Sequence, residues 1–502
     1  MVNVLTLNTG SSGIRWGGGL ILALGLPGAS LPLAPAPAQA KLCPAQLAPR
    51  IEAVLNQAPL DVAYTGLLLE TQASLPGARQ TLYSRNADRL FTPASNVKLL
   101  TTAAALHYLG ASHRIRTSVY GVSGSGGLTA LRVVGRGDPT LGSTQLEDLA
   151  RQLTQAGVSQ VSQLVLDDSY FPGFATNPTW EWEDAQADYG VPVNSLILNQ
   201  NAVTVQVAPA QVGQPLTLLW PQSPEPFPWP VLNHTLTVAT AAETRPISLW
   251  RSGESATLRA TGQLVQSSNP VTLGLAVLDP AQRFGLALEE ALADQGIAVA
   301  QTSISSVDNP LAGAELAAIE SPTLAELIIP ANQESNNLYA EALLKTLGVN
   351  YSTPPVAAEA SRAGTAAVKS ILEELGVPTE PLRLADGSGL SRHNLVTPTA
   401  LVETLQVMAN HPQAEVFRDS LAIAGVSGTL ARRLQGSPLV GRFQGKSGAI
   451  TGNVSLSGYV QPPAYEPLVF SIIINHANQP ASLLREKIDV ILELIGQLSP
   501  DC

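Results

Sequence analysis

The stretch Phe91–Gly110, FTPASNVKLLTTAAALHYLG, places Lys98 three residues after Ser95 at the start of an apolar run. Lysine is scarce in this chain, occurring only at positions 41, 98, 345, 369, 446 and 487. A serine ahead of the apolar run and Gly110 behind it predict a helix over 95–109. Residues three apart on a helix share a face, so the Ser95 hydroxyl and the Lys98 amine are neighbours. An alkyl hydroxyl is a poor nucleophile until a base takes its proton. A partly buried lysine has its ammonium destabilised and can be that base. The first turn also sets developing negative charge at the positive end of the helix dipole. Taken alone, S-x-x-K describes equally a capping serine and a surface lysine, which is the commoner case. It is, however, the only such pair in the chain.

Two further short motifs bear on that choice. In GKSGA, residues 445–449, a phosphate loop fails on spacing from Gly441 and on the strand-like residues that follow. A nucleophile elbow fails because position 449 is alanine. What survives is a K-S/T-G strand, in which Lys446 and Ser447 receive a carboxylate and the backbone of Gly448 and Ala449 pairs with an extended peptide. The third motif is Ser335-Asn336-Asn337, opening the strongly helical NLYAEALLK. S-x-N also occurs at Ser84-Arg85-Asn86 and Ser267-Ser268-Asn269, so position, not pattern, selects the copy at 335.

Outward from these motifs, DVAYTGLLLE and QTLYSRNADR read as a hairpin over 61–90. From 112 to 316 short alternating runs dominate, with one clear helix in AQRFGLALEEALADQGI. After 317 helical patterns return, followed by three strand-like runs, GRFQGKSGAI, NVSLSGYVQ and LVFSIIINHA, and a last helix. The simplest architecture is an α/β (α+β) domain formed from 41–111 and 317–502 and split by a β-rich insertion, 112–316.

Residues 1–40 combine Arg15, the apolar GGLILALGL and a small-residue end, Ala38-Gln39-Ala40, which reads as a cleaved secretory signal. Export to the periplasm or cell wall is the corollary, with no stable membrane insertion after cleavage. The two cysteines, Cys43 and Cys502, bound the mature chain. If the first and last helices pack antiparallel, their outer ends meet and a disulfide becomes possible. A net charge of −11 without a Lys/Arg cluster excludes a nucleic-acid partner. The six histidines show no metal spacing, so neither metal nor cofactor is expected.

In the order S-x-x-K, S-x-N, K-S-G, the chain resembles the penicillin-recognising serine acyltransferases. The long spacer between Ser95 and Ser335 resembles the D-alanyl-D-alanine carboxypeptidase/endopeptidase family, the class C low-molecular-weight penicillin-binding proteins. GDPTL at 137–141, LDDSYF at 166–171, ADGSGLSRHN at 385–394 and SGYV at 457–460 extend the likeness over the mature chain. It implies a transpeptidase/β-lactamase-like fold, a central antiparallel sheet flanked by helices. It implies Ser95 as nucleophile, Lys98 as its base, Ser335 as proton relay tuned by Lys446, and Asn337 as orienter of the substrate amide. The N–H groups of Ser95 and Ala449 would form the oxyanion hole. Arg392 is a candidate for a second substrate carboxylate and Asp167 for an amine. Serine stands at 447 where the family usually has threonine, which predicts altered affinity with the chemistry kept. The alternatives are a serine β-lactamase, for which no glutamate-bearing deacylation loop is evident, and a catalytically weak cell-wall binding protein.

Overall fold

The structure is a computed structural model. It describes residues 41–124, 127–221, 229–251, 256–306, 313–351 and 359–501; the leader at 1–40 and Cys502 lie outside them. Helix α1 (Pro44–Leu55) precedes a hairpin of β1 (Tyr64–Thr71) and β2 (Thr81–Arg85), and α2 spans Val97–Leu109. After residues 112–316 come α3 (Leu324–Asn332), α4 (Asn337–Tyr351), α5 (Ala360–Glu374) and α6 (Pro398–Ala409). The short β3 (Ala422–Ile423) leads into β4 (Phe443–Ile450), β5 (Asn453–Val460), β6 (Leu468–Asn475) and the final helix α7 (Ala481–Gly496). The six strands form one antiparallel sheet in the order β3-β4-β5-β6-β1-β2.

Strands β5 and β6 are buried at every position, which an antiparallel strand achieves only when both sheet faces are covered. Side-chain alternation splits β6 between two cores. Val469 and Ile473 join Leu99, Leu100, Leu327, Leu344 and Leu401 on the face covered by α2, α3, α4 and α6. Phe470, Ile472 and Ile474 join Leu47, Ile51, Ile488 and Ile491 on the face covered by α1 and α7. Helix α2 is buried from Val97 through Leu106, Lys98, Thr101 and Thr102 included, among leucines and alanines on every side. That is why Lys98 has no route to solvent.

Ser95 differs from the sequence reading in one respect. It sits in a tight turn, Ala94–Asn96, just before the regular helix, and makes no capping bond to it. The turn is drawn onto the sheet instead: Asn96 Nδ2 donates to Ser457 Oγ (2.8 Å), and Ser455 Oγ donates to the Pro93 carbonyl (2.6 Å).

The outer ends of the first and last helices meet as their patterns suggested. Leu42 N donates to Gln497 O (2.8 Å) and Ser499 N to Leu42 O (3.1 Å). Among the described residues no cysteine is free, Cys43 being disulfide-bonded. Cys502, its expected partner, lies outside them.

Between α2 and α3 the chain builds a five-stranded mixed sheet in the order Thr302–Ser305, Gln163–Asp167, Gly127–Val134, Arg116–Gly124, Ala314–Glu320. Helices Ser143–Gln155 and Pro280–Asp294 pack on it through Leu149, Phe284 and Leu288. The first of these helices went unread in the sequence, although Leu146, Leu149, Ala150 and Leu153 mark its buried stripe. A separate compact unit comprises Gln206–Leu219 and Pro226–Val271. Within it, strand Leu258–Val265 runs parallel to Val231–Val238 and antiparallel to Arg245–Arg251.

Because Ile472 is fully buried in a strand covered on both faces, Ile472→Ala should cost about 2–5 kcal/mol. The check is the midpoint of denaturant unfolding; an unchanged midpoint would contradict this packing.

Candidate active site

Three segments far apart in sequence meet where α2 starts. The Lys98 amine is fully buried and donates to Ser95 Oγ (3.1 Å), Asn337 Oδ1 (2.7 Å) and the Ser388 carbonyl (2.7 Å). Ser95 is half-buried, so the hydroxyl lies between a buried base and open space. Asn337 is the first residue of α4, and its Nδ2 donates to the Tyr189 carbonyl (2.7 Å). Ser335 precedes that helix with a left-handed φ of 62°, and Ala94, beside Ser95, has φ 49°. A non-glycine residue in this region costs about 1–3 kcal/mol, and such strain concentrates at working sites.

Strand β4 supplies the third motif. Lys446 is fully buried and donates to the Ser447 carbonyl (2.8 Å), while Ser447 Oγ donates to Thr429 Oγ1 (2.7 Å). Gly448 allows the strand to approach Ser95: a Cβ there would sit 2.9 Å from Ser95 N and 2.3 Å from Ser455 Oγ. Gly389 makes the same concession from the other side. Its φ is +83°, and a Cβ would lie 1.9 Å from the Ala94 carbonyl. Two residues that cannot carry side chains thus close on the turn that bears Ser95.

Burial pushes the Lys98 ammonium down to about 7, against the opposing pull of the Asp386 and Glu341 carboxyls. At neutral pH a large fraction of it is the free amine. Burial also holds Lys446 well below the usual lysine range, with Lys98 nearby adding like-charge repulsion. Glu341 is raised to about 8, chiefly by burial and then by Asp386. Chemically the arrangement is a hydroxyl, a base whose free form is populated at neutral pH, and a second buried amine on a strand whose edge beyond Gly445 is left unpaired by β3.

The structure brings together Ser95, Lys98 and Asn337 by direct bonds, with Ser335 two residues before Asn337. Gly448, between Lys446–Ser447 and Ala449, is placed against Ser95. Arg392 lies at the margin: its Nε donates to Glu181 Oε1 (2.6 Å) and its Nη1 to the carbonyl of Thr451, one residue beyond β4. Asp167 is not in the cluster. It is buried in the five-stranded sheet, ion-paired with Arg132 and accepting from Ser169 Oγ (2.6 Å). The sequence reading missed Glu341, Asp386 and the Ser388 carbonyl, which surround Lys98 from behind, and Thr429, which meets Ser447. Glu341 was findable, because it lies one helical turn after Asn337 on the same face.

With this geometry in hand, comparison with known proteins is specific. A family model described as D-Ala-D-Ala carboxypeptidase 3 (S13) matches residues 47–494. A D-alanyl-D-alanine carboxypeptidase of Actinomadura sp. (strain R39) is 34% identical over 470 residues, covering 90% of this chain and 85% of that protein. Penicillin-sensitive carboxypeptidase A of Dictyostelium discoideum is 30% identical, covering 86% of each. The crystal structure of penicillin binding protein 4 from Haemophilus influenzae superimposes with a TM-score of 0.76, over 89% of this chain and 98% of that one. At 24% identity it speaks for the fold alone, a mixed α/β architecture with antiparallel sheet and helices. Together they identify a serine-type hydrolase: the chain belongs to the D-Ala-D-Ala carboxypeptidase 3 (S13) family.

Proposed function

We propose that this protein hydrolyses the bond between the two terminal D-alanines of peptidoglycan stem peptides through an acyl-enzyme on Ser95, and that penicillin acylates the same residue. The observation that carries the reading is the contact between the buried Lys98 amine and Ser95 Oγ (3.1 Å). Lys98 takes the hydroxyl proton as Oγ bonds to the substrate carbonyl carbon. The resulting oxyanion faces the N–H groups of Ser95 and Ala449, a type of contact worth about 3–4 kcal/mol per donor. The C–N bond then breaks and Ser335, tuned by Lys446, relays to the departing D-alanine amine the proton that Lys98 took from Ser95, leaving Lys98 a free amine again. Water adds to the acyl carbon and releases the shortened peptide, restoring Ser95.

Asn337 orients the substrate amide, and Lys446 with Ser447 receives the terminal carboxylate. The backbone of Gly448 and Ala449 pairs with the extended peptide. Arg392, at the margin and only partly buried, suits a second substrate carboxylate; Asp167 has its carboxylate committed to Arg132. Cleavage of a cross-linked dimer uses the same steps with a larger leaving amine, so endopeptidase activity is included in the proposal. We place the protein outside the cytoplasm, with 1–40 as leader and a Cys43–Cys502 disulfide tying the chain ends. Among the described residues no helix is long and apolar enough to cross a membrane. The 41–111 and 317–502 segments form the catalytic domain in this reading, with 112–316 inserted.

Labelled penicillin followed by peptide mapping should mark Ser95, with the label abolished in Ser95→Ala; a label elsewhere would sink the mechanism. Lys98→Met should slow acylation by roughly 100-fold or more, the usual scale of general-base loss. The pH profile has a defined sign. A lysine lowered to about 7 is free amine above that pH and ammonium below it, so acylation should fall as pH drops through about 7. A rate flat from pH 5.5 to 8.5 would exclude Lys98 as the base. Ser447→Ala should raise KM for D-alanine release by about 10–100-fold, the worth of a hydrogen bond to a charged group, with kcat little changed.

A further inference from the structure

The three oxygens around the Lys98 nitrogen are not equivalent. A neutral amine carries two N–H bonds and one lone pair. Asn337 Oδ1 and the Ser388 carbonyl are pure acceptors, each 2.7 Å away, whereas Ser95 Oγ, at 3.1 Å, carries a proton of its own. When the two acceptors take the two N–H bonds, the lone pair has one direction left, toward Ser95. Without either acceptor the amine turns about its Cε–Nζ bond and the lone pair is no longer aimed.

Asn337 is held by helix α4, but Ser388 lies in the loop Ala385–Asn394 and needs another support. Glu341 Oε1 accepts both the Gly387 N–H (2.9 Å) and the Ser388 N–H (2.8 Å). Asp386 Oδ1 accepts the Gly389 N–H (2.8 Å), the other end of the peptide unit whose carbonyl faces Lys98. A carboxylate on the N–H of a peptide polarises its C=O and strengthens it as an acceptor. Asp386 is itself fixed by Trp180 Nε1 (2.9 Å), Ser391 N (2.6 Å) and Asn394 Nδ2 (2.7 Å). Both carboxyls are fully buried, and neither is hydrogen-bonded to Lys98. The charged groups that bear on Lys98 are Asp386 and Glu341, which attract it, and Lys446, which repels it; Lys345 lies beside Glu341 on α4.

We propose that Glu341 and Asp386 are positioning residues for acylation: Glu341 holds the Gly387 and Ser388 N–H groups and Asp386 the Gly389 N–H, which together fix the Ser388 carbonyl so that it occupies one hydrogen of the Lys98 amine and leaves the lone pair aimed at Ser95. The proposal rests on Lys98 being the base for Ser95. Glu341→Met keeps the volume and removes the acceptor, whereas Glu341→Gln keeps an oxygen for both N–H groups. In full-length protein shown to be folded by circular dichroism and thermal melting, Glu341→Met should slow acylation by labelled penicillin about 10-fold or more. Its KM for pentapeptide should move less than about threefold, and Glu341→Gln should restore the rate to within about threefold. The acid limb of the Glu341→Met rate profile should also move, which a loss of folded protein alone would not do. A folded Glu341→Met acylating at the wild-type rate overturns the proposal, as does a Glu341→Gln equally slow. If Glu341→Met does not fold, Glu341→Asp, which withdraws the acceptor by one methylene, is read by the same rate and the same limits. A wild-type protein that takes no label at Ser95 strikes instead at the function on which this rests.

Discussion

The site depends on keeping one amine dry. Lys98 sits in a helix buried on every side from Val97 to Leu106, against a sheet covered on both faces, and water does not reach it to stabilise its charge. Taking a charge into such surroundings is so unfavourable that the group sheds its proton instead, and that reluctance is what makes a lysine a base near neutral pH. The surrounding core is therefore part of the chemistry. A wetter helix would bear the same residues and leave Lys98 an ordinary ammonium.

The same constraint explains the buried polar groups that accompany it. A dry amine needs acceptors, and each acceptor must be held without water. Asn337 comes from a helix end, Ser388 from a loop, and that loop is pinned by two carboxyls which are themselves fully buried. Lys446 repeats the pattern on the strand side. Four ionisable groups lie buried here, and each is hydrogen-bonded, which is how a protein interior tolerates them.

Much of this was legible in the sequence because chemistry and periodicity coincided. The helix at Lys98, the hairpin at 64–85, the three strands at 443–475 and the helix at Asn337 each carry a clear repeat, and each carries or carries past a motif. What escaped is equally physical. Ser388 acts through its carbonyl, which any residue possesses, so no side-chain pattern could announce it. The tight turn at Ser95 looked like a helix start because its bonds go to Ser455 and Ser457, hundreds of residues away. The helix Ser143–Gln155 was passed over because its polar face, rich in Gln and Thr, blended into the β-textured region around it. Asp167 stood in a run resembling the family's, and its neighbour in space, Arg132, was invisible from the linear order.

The pairing of β1 with β6 joins Tyr64 to Asn475, so two neighbouring strands inside the sheet come from opposite ends of the chain. Closing so long a loop carries an entropic penalty that no local contact offsets, and non-local sheets of this kind assemble slowly. A chain emerging N-terminus first can complete the sheets between α2 and α3 while β1 is paired with β2 alone, and the second edge of Leu67–Leu68–Leu69 stays open until β6 arrives. Ser95 is made early, yet the helix bearing its base Lys98 is covered only after α4 and the last strands have been delivered. The dry setting of the base is therefore among the last things the fold completes, an order set by topology.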